Sequence, residues 1–294
     1  MRIPVVLLAA LLLALAGCGE ATSDDTDPST STTTSGTAPA PDRPPGVGPG
    51  DAARVVQVVD GDTIVVTVGA AEERLRLIGI NAPERGECLA DEAAQRLREL
   101  VDGREVVLVP DRTDRDRFGR LLRHVEVDGS DVGAALVAEG LALARRYPPD
   151  VARADAYDSA QRSAQDAGIG LWASDACGAA VVDSEVAIDA IRFDADGDDT
   201  QNLNDEWVRM ANRGRSPVDL TGWVLKDTSA SHRYTFPDGF SLGPGASVTV
   251  RSGCGTDTPA DLHWCNQGSA VWNNSGDTAF LLDPSGNIVD SRDG

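Results

Sequence analysis

Three short clusters hold the side chains with chemical capability: Asp60-Gly61-Asp62-Thr63, the run Arg76-Leu77-Ile78-Gly79-Ile80-Asn81-Ala82-Pro83-Glu84, and Arg117-Phe118-Gly119-Arg120. Oxygen donors from Asp62 and Asn81 suit a hard cation such as Ca²⁺, which takes oxygen ligands. Glu84 can order a water and take its proton. Arg76 and Arg120 can grip a phosphate in bidentate fashion and stabilise the charge of its transition state. A cation, a carboxylate base and two guanidiniums are sufficient parts for hydrolysing a phosphodiester.

Other chemistries are excluded. Of 26 basic residues only Lys226 is a lysine, and no Gly-rich loop ends in Gly-Lys-Ser/Thr; there is no P-loop, and no spare lysine for Schiff-base or lysine-dependent phosphodiesterase chemistry. His124, His232 and His263 are far apart and lack metal-ligand spacing. No Gly-x-Ser-x-Gly elbow is present. With 47 acids the net charge is −21, which opposes non-specific, charge-driven binding of nucleic acid. Residues 51–178 carry 16 arginines against 24 acids. Capture of a polyanion must therefore be local, through Arg76 and Arg120, with Arg115, Arg117, Arg145 and Arg146 as further candidates.

The elements that position these residues follow from periodicity. A length of 294 residues has room for two domains. Val55–Val59, Asp62–Val68 and Arg74–Ile80 read as strands, the last placing Leu75 and Leu77 on one face and Arg74 and Arg76 on the other. A helix is expected over Ala90–Val101 with Gly103 as its stop. Strands follow at Glu105–Val109 and Leu121–Val127, then helices over Val132–Glu139 and Val151–Ala167 with Asp131 and Asp150 in capping position. Five strands with interleaved helices fit an OB-fold β-barrel. From residue 184 onward helix signals vanish, and short strand runs at Val186–Phe193, Glu206–Asn212, Gly222–Lys226, Ser247–Arg251, Thr278–Leu282 and Asn287–Val289 alternate with turn clusters. That spacing predicts an all-β sandwich. The acidic run Asp194–Asp199 has its glycine fourth rather than sixth, so it is not an EF-hand and reads as a solvated loop.

The N-terminus reads as an address. An apolar run from Ile3 to Ala16 suits a signal-peptide core and is too short to span a bilayer comfortably. It ends in Leu15-Ala16-Gly17-Cys18, which looks like a bacterial lipobox with Cys18 as the acylated residue. Residues 1–17 are thus expected as a lipoprotein signal peptide. Residues 18–50, rich in Ser, Thr and Pro, are expected as a disordered tether. The protein is expected to be exported and lipid-anchored on the outer face of a bacterial cell membrane. Cys88, Cys177, Cys254 and Cys265 remain, and outside the cell an even number suggests disulfides. Of three possible pairings, a domain boundary near 178–183 favours Cys88–Cys177 and Cys254–Cys265. On the loop-entropy model these contribute roughly 4–5 and roughly 3 kcal/mol.

The residues from about 54 to 175 resemble the staphylococcal (micrococcal) nuclease, or thermonuclease, family. The resemblance rests on the Asp-Gly-Asp-Thr turn, the Arg-x-x-Gly-x-x-Ala-Pro-Glu stretch, the aromatic-Gly-Arg element and the terminal Gly170-Leu171-Trp172, all in order. It implies an OB-fold barrel with helices over 51–178 and Ca²⁺-dependent cleavage of DNA and RNA to 3′-phosphates. Arg76, Glu84 and Arg120 match the family's catalytic residues. Asp62 and Asn81 match its metal-ligating carboxylates, and Ala82 would offer its backbone carbonyl. The best-known member has aspartate where this chain has Asn81; the lost charge implies weaker Ca²⁺ binding, tolerable where extracellular Ca²⁺ is millimolar. Residues 184–294, with Asn202–Val208, Leu220-Thr221-Gly222-Trp223 and Val271–Asp277, look like the lamin-tail family. That implies an immunoglobulin-like sandwich with a binding or positioning role whose partner is unknown. Trp207, Trp223 and Trp272 are expected in packing. The leading expectation is a monomeric nuclease. One alternative is a catalytically weak or inactive surface lipoprotein that binds nucleic acid or protein; another is a scaffold whose working part is the sandwich.

Overall fold

The computed structural model describes residues 50–181, 185–198, 201–229, 231–266, 270–274 and 276–294. The expected signal peptide, Cys18 and the expected tether through residue 49 lie outside the described residues.

Strands β1 (Asp51–Val58), β2 (Thr63–Val68) and β3 (Ala71–Leu77) form a meander, and β4 is the short Ile80–Asn81. After helix α1 (Ala90–Val101), β5 (Glu105–Val109) pairs with β1, and β6 (Leu121–Val127) pairs with β5. A parallel pairing of β3 with β6, Leu75 opposite Leu121, closes the barrel. Closure removes the exposed edges an open sheet would leave. The alternation in β3 decides which face is inside: Leu75 and Leu77 are 0% and 2% exposed, whereas Arg74 is exposed. The short β7 (Ser130–Asp131) leads into α2 (Val132–Ala138), and β8 (Leu143–Ala144) pairs with β4. This is the OB-fold barrel with helices.

Helix α1 has the expected bounds and buries Ala90, Ala93, Ala94, Leu97 and Val101 on one face. Asp131 caps α2, its carboxylate accepting the Ala134 amide at 3.0 Å. The third helix, α3, spans Ala154–Ala167 rather than starting at Val151. Asp150 does not cap it: its carboxylate accepts the Arg112 and Thr113 amides at 2.9 and 2.7 Å and pins that loop to the barrel.

Behind the barrel, Tyr157 of α3 donates to the Asp131 carboxylate at 2.9 Å and stands 2.9 Å from His124 Nδ1. Nδ1 therefore carries the hydrogen and donates to the phenol oxygen, which leaves Nε2 without a hydrogen-bond partner among the described residues, 3.9 Å from Asp111. Burial, and then the charge of Arg153, push this imidazole down to about 4, against opposing Asp131 and Asp111. The unfolded chain therefore binds a proton more readily. The stability held by neutral His124 is complete above about pH 6.5 and is lost as pH falls toward 4, at a cost of roughly 3 kcal/mol. Urea midpoints measured from pH 7 to 4 should fall more steeply in the wild type than in His124→Gln.

The second domain has two four-stranded sheets. One contains β9 (Val186–Arg192) and β10 (Trp207–Asn212), joined by β15 (Ser247–Arg251) and β16 (Asp261–His263). The other contains β12 (Val224–Lys226) and β13 (Arg233–Thr235), joined by β17 (Thr278–Leu282) and β18 (Ile288–Asp293). The remaining short strands, β11 (Val218–Asp219) and β14 (Ser241–Leu242), pair with each other. Val208, Met210, Trp223, Leu225, Phe236, Val248 and Leu281 fill the space between the sheets. This is the immunoglobulin-like sandwich. Trp223 and Trp272 are buried, as expected, and Trp207 is half-buried.

The two domains are docked. Leu143 and Leu171 of the barrel domain pack with Phe280 and Leu282 of the sandwich. Cys88 is bonded to Cys177, whose amide donates to Asn287 Oδ1 at 2.8 Å, and Cys254 is bonded to Cys265. Glu87 links the two sides: its Oε2 accepts the Glu84 amide at 2.9 Å, while its Oε1 meets Arg233 at 2.5 Å and Lys226 Nζ at 3.6 Å.

Candidate active site

The Asp60–Thr63 turn enters β2 and aims Asp62 inward. Asp60 Oδ1 accepts the Asp62 amide at 3.1 Å, and Leu77 donates its amide to the Asp62 carbonyl at 2.8 Å. Gly61 is required by crowding. A Cβ there would lie 2.6 Å from Ala82 Cβ and 2.8 Å from Ala93 Cβ. At the end of β3 the chain turns through Gly79, at φ +81° and with the Tyr157 ring 2.5 Å from where a Cβ would be. Only glycine meets both demands. That turn carries Asn81 back over the barrel mouth beside Asp62.

Asp62, Arg76, Asn81 and Ala82 meet there. Asp62 is 3% exposed and forms an ion pair with Arg76. It also accepts the Thr63 hydroxyl at 3.1 Å and the Ala82 amide at 2.9 Å. Arg76 donates to Asn81 Oδ1 at 2.8 Å. Burial first, and then the charge of Arg120, lower the Arg76 guanidinium to about 10, with Asp60 and Glu84 opposing. It stays protonated at neutral pH. Glu84 is exposed, on the wall of a cleft of about 570 Å³ that Asn81 also lines.

Arg120 comes from the loop before β6. Asp116 builds that loop: its carboxylate accepts the Phe118 and Arg120 amides at 2.9 and 3.0 Å and Arg120 Nε at 2.6 Å. Burial opposes ionisation of Asp116, but the hydrogen bonds from Arg120 and Phe118 outweigh it and lower its pKa. Among the described residues Asp116 takes Nε of Arg120, which leaves its two terminal nitrogens for a phosphate. The other arginine candidates divide. The Arg145 amide donates to the Gly79 carbonyl at 2.9 Å, and its positive charge is felt at Arg76. Arg115 is bound to Glu73 at 2.9 Å, and Arg146 to Asp155 and Asp158 at 2.7 Å each, so both are engaged by carboxylates. Arg117 lies over the Phe118 ring, 4.8 Å from its centroid.

Residues 74–174 match the model of the staphylococcal nuclease homologues, and residues 181–293 that of the lamin tail domain. Over 129 residues the chain is 31% identical to a thermonuclease of Staphylococcus intermedius, covering 42% of this chain and 77% of that protein. The chain belongs to the staphylococcal nuclease family. It is also 35% identical over 127 residues to a micrococcal nuclease of Shigella flexneri, covering 40% of this chain and 71% of that one. An uncharacterised endonuclease of Haemophilus influenzae is 34% identical over 125 residues, covering 42% and 67%. The nuclease-family match thus covers the barrel, and the lamin-tail match covers the sandwich.

The donors fit a hard cation in type, because the Asp62 and Asn81 oxygens already converge on a positive group, the Arg76 guanidinium. They offer it only one formal negative charge. Among the described residues no three His, Cys, Asp or Glu side chains are grouped to hold a metal. What fixes Asn81 lies in the other domain: its Nδ2 donates to the Thr228 carbonyl of the sandwich at 2.8 Å. Asn81→Asp would replace that donor with an acceptor facing a carbonyl. The variant should bind Ca²⁺ more tightly through its added charge, yet lose about 1–3 kcal/mol of metal-free stability. Calorimetric Ca²⁺ titration and melting in EDTA check the two halves; an unchanged titration contradicts a ligand role for Asn81.

Proposed function

We propose that this protein is an exported, lipid-anchored nuclease that hydrolyses DNA and RNA phosphodiesters with Ca²⁺ and leaves 3′-phosphate ends. The observation that carries the reading is the meeting of Arg76, Asp62 and Asn81 beside Glu84, on a barrel of the nuclease family. Asp62, Asn81 and the Ala82 carbonyl would hold the cation. Bound there, Ca²⁺ would neutralise charge on the scissile phosphate. Glu84 takes a proton from water as the water oxygen bonds to phosphorus. The bond from phosphorus to the 5′-oxygen breaks, that oxygen takes a proton from a solvent water as Glu84 returns its own to solvent, and the phosphate stays on the 3′-oxygen. Arg76 and Arg120 stabilise the added negative charge.

The engagement of Asp62 and Asn81 by Arg76 favours a second reading, a barrel that binds nucleic acid without turnover. Digestion of a 5′-labelled single-stranded oligonucleotide separates the two. Cleavage fragments should change mobility when a 3′-phosphatase is added; no cleavage supports the binder, and 3′-hydroxyl fragments contradict the proposed bond. The address is tested by Cys18→Ser, which should move the protein from the membrane fraction to the medium.

A further inference from the structure

The lamin-tail sandwich contributes charge to the nuclease cleft. Lys226 and Arg233 stand on neighbouring strands, paired residue to residue across β12 and β13, and both line the cleft that Glu84 faces. Lys226, the chain's single lysine, has a side chain only 10% exposed. Burial lowers its pKa, with Glu87 opposing. Both cations share one carboxylate, Glu87, and even the same oxygen of it. The cleft lining holds three bases, Arg85, Lys226 and Arg233, against three acids, Glu84, Glu87 and Asp283, so the cations of the sandwich face an otherwise acidic wall. The wall beyond them is apolar, formed by Val224, Leu282 and Ile288 among others. A volume of about 570 Å³ falls within the range of small-ligand pockets, which are mostly apolar with a few placed polar groups.

We infer that Lys226 and Arg233 form a nucleotide subsite contributed by the sandwich, holding a phosphate of the single strand that flanks the bond at Glu84, with the adjoining base against the apolar wall. The inference rests on the nuclease reading for the location of the scissile bond. The cleft joins residues of both domains, so the sandwich is a working part of the substrate site rather than a remote anchor. Glu87 holds the two cations in place and competes with the phosphate for them. The pair places two cations at a cleft between two acidic domains, with 16 bases against 24 acids over residues 51–178 and 8 against 18 over 179–294.

Binding is read without turnover, from the anisotropy of a short fluorescein-labelled oligothymidylate titrated with the full chain in EDTA over a range of salt. Arg233→Gln should weaken binding roughly tenfold, as for loss of one charged hydrogen bond. It should also reduce the slope of log affinity against log salt by about 0.7. Lys226→Gln should act in the same direction. Glu87→Gln removes the competing charge and should tighten binding several-fold. That opposite sign separates a subsite from a merely structural contact, since loosening the domain interface would weaken binding in all three variants. Equal affinity and slope in wild type, Arg233→Gln and Lys226→Gln, weaker binding in Glu87→Gln, or no binding by wild type would each overturn the inference. A parallel cleavage assay in Ca²⁺ keeps the two readings apart. Cleavage with unchanged affinities removes the subsite and leaves the nuclease; the stated affinity changes without cleavage leave the subsite and remove the nuclease.

Discussion

Arg76→Ala lowers kcat/KM at least about 100-fold, the loss of roughly 3 kcal/mol of transition-state stabilisation expected when a preorganised donor is removed. It also weakens the fold. Asp62 is 3% exposed, and Arg76 is its ion-pair partner. Removing one member of a buried pair costs about 3–5 kcal/mol. Two comparisons separate these effects. Arg76→Lys restores the charge beside Asp62 but lacks the planar fork, so it should recover stability more than activity. Millimolar Ca²⁺ should raise the melting temperature of Arg76→Ala more than that of wild type, because the oxygens of Asp62 and Asn81 are no longer engaged by the guanidinium. Melting curves with Ca²⁺ and with EDTA, beside kcat/KM on denatured DNA, check both; equal calcium shifts in variant and wild type contradict a cation site at these oxygens.

Arg120→Ala should cost as much activity, again at least about 100-fold, with little loss of stability. The difference follows from setting. Arg120 and Asp116 are 26% and 16% exposed, and their ion pair lies within one loop. Such a pair is worth at most about 1 kcal/mol. Asp116 keeps the amides of Phe118 and Arg120 even when the guanidinium is gone. Arg120→Ala is therefore the cleaner test of phosphate stabilisation. Asp116→Asn should have a smaller effect of the same sign, because a neutral partner still shapes the loop but holds Nε less firmly. Steady-state kinetics with melting temperatures on the same preparations read both; full activity in Arg120→Ala removes it from the site.

The barrel was legible wherever one periodicity acted alone. Leu75 and Leu77 alternate with Arg74 and Arg76, and β3 follows that alternation. Ala93, Leu97 and Val101 mark α1 at helical spacing, and Gly103 stops it. Legibility failed where a side chain had a distant competitor. Asp150 looked like a cap because it precedes α3, but the Arg112 and Thr113 amides take its carboxylate. Short strands such as β11 and β14 exist only through their mutual pairing, which two-residue segments do not announce. In the site, Asp62, Arg76 and Asn81 were recognisable from their turn and strand. Asp116 had a visible signal, an acid four residues before Arg120. Thr228 and Arg233 had none: they reach Asn81 and Glu87 across 147 and 146 residues, and only docking of the sandwich brings them there.

The most direct test of the nuclease is cleavage of denatured DNA by the chain from residue 51 onward, in millimolar Ca²⁺ or in EDTA, beside Glu84→Ala. Cleavage is expected in Ca²⁺ and none in EDTA, with a loss of about 100-fold or more in the variant and oligonucleotide affinity nearly unchanged. Full activity in Glu84→Ala would contradict its assignment as the base. No cleavage by the wild type at high Ca²⁺ and low salt would contradict the nuclease itself and leave a nucleic-acid-binding barrel.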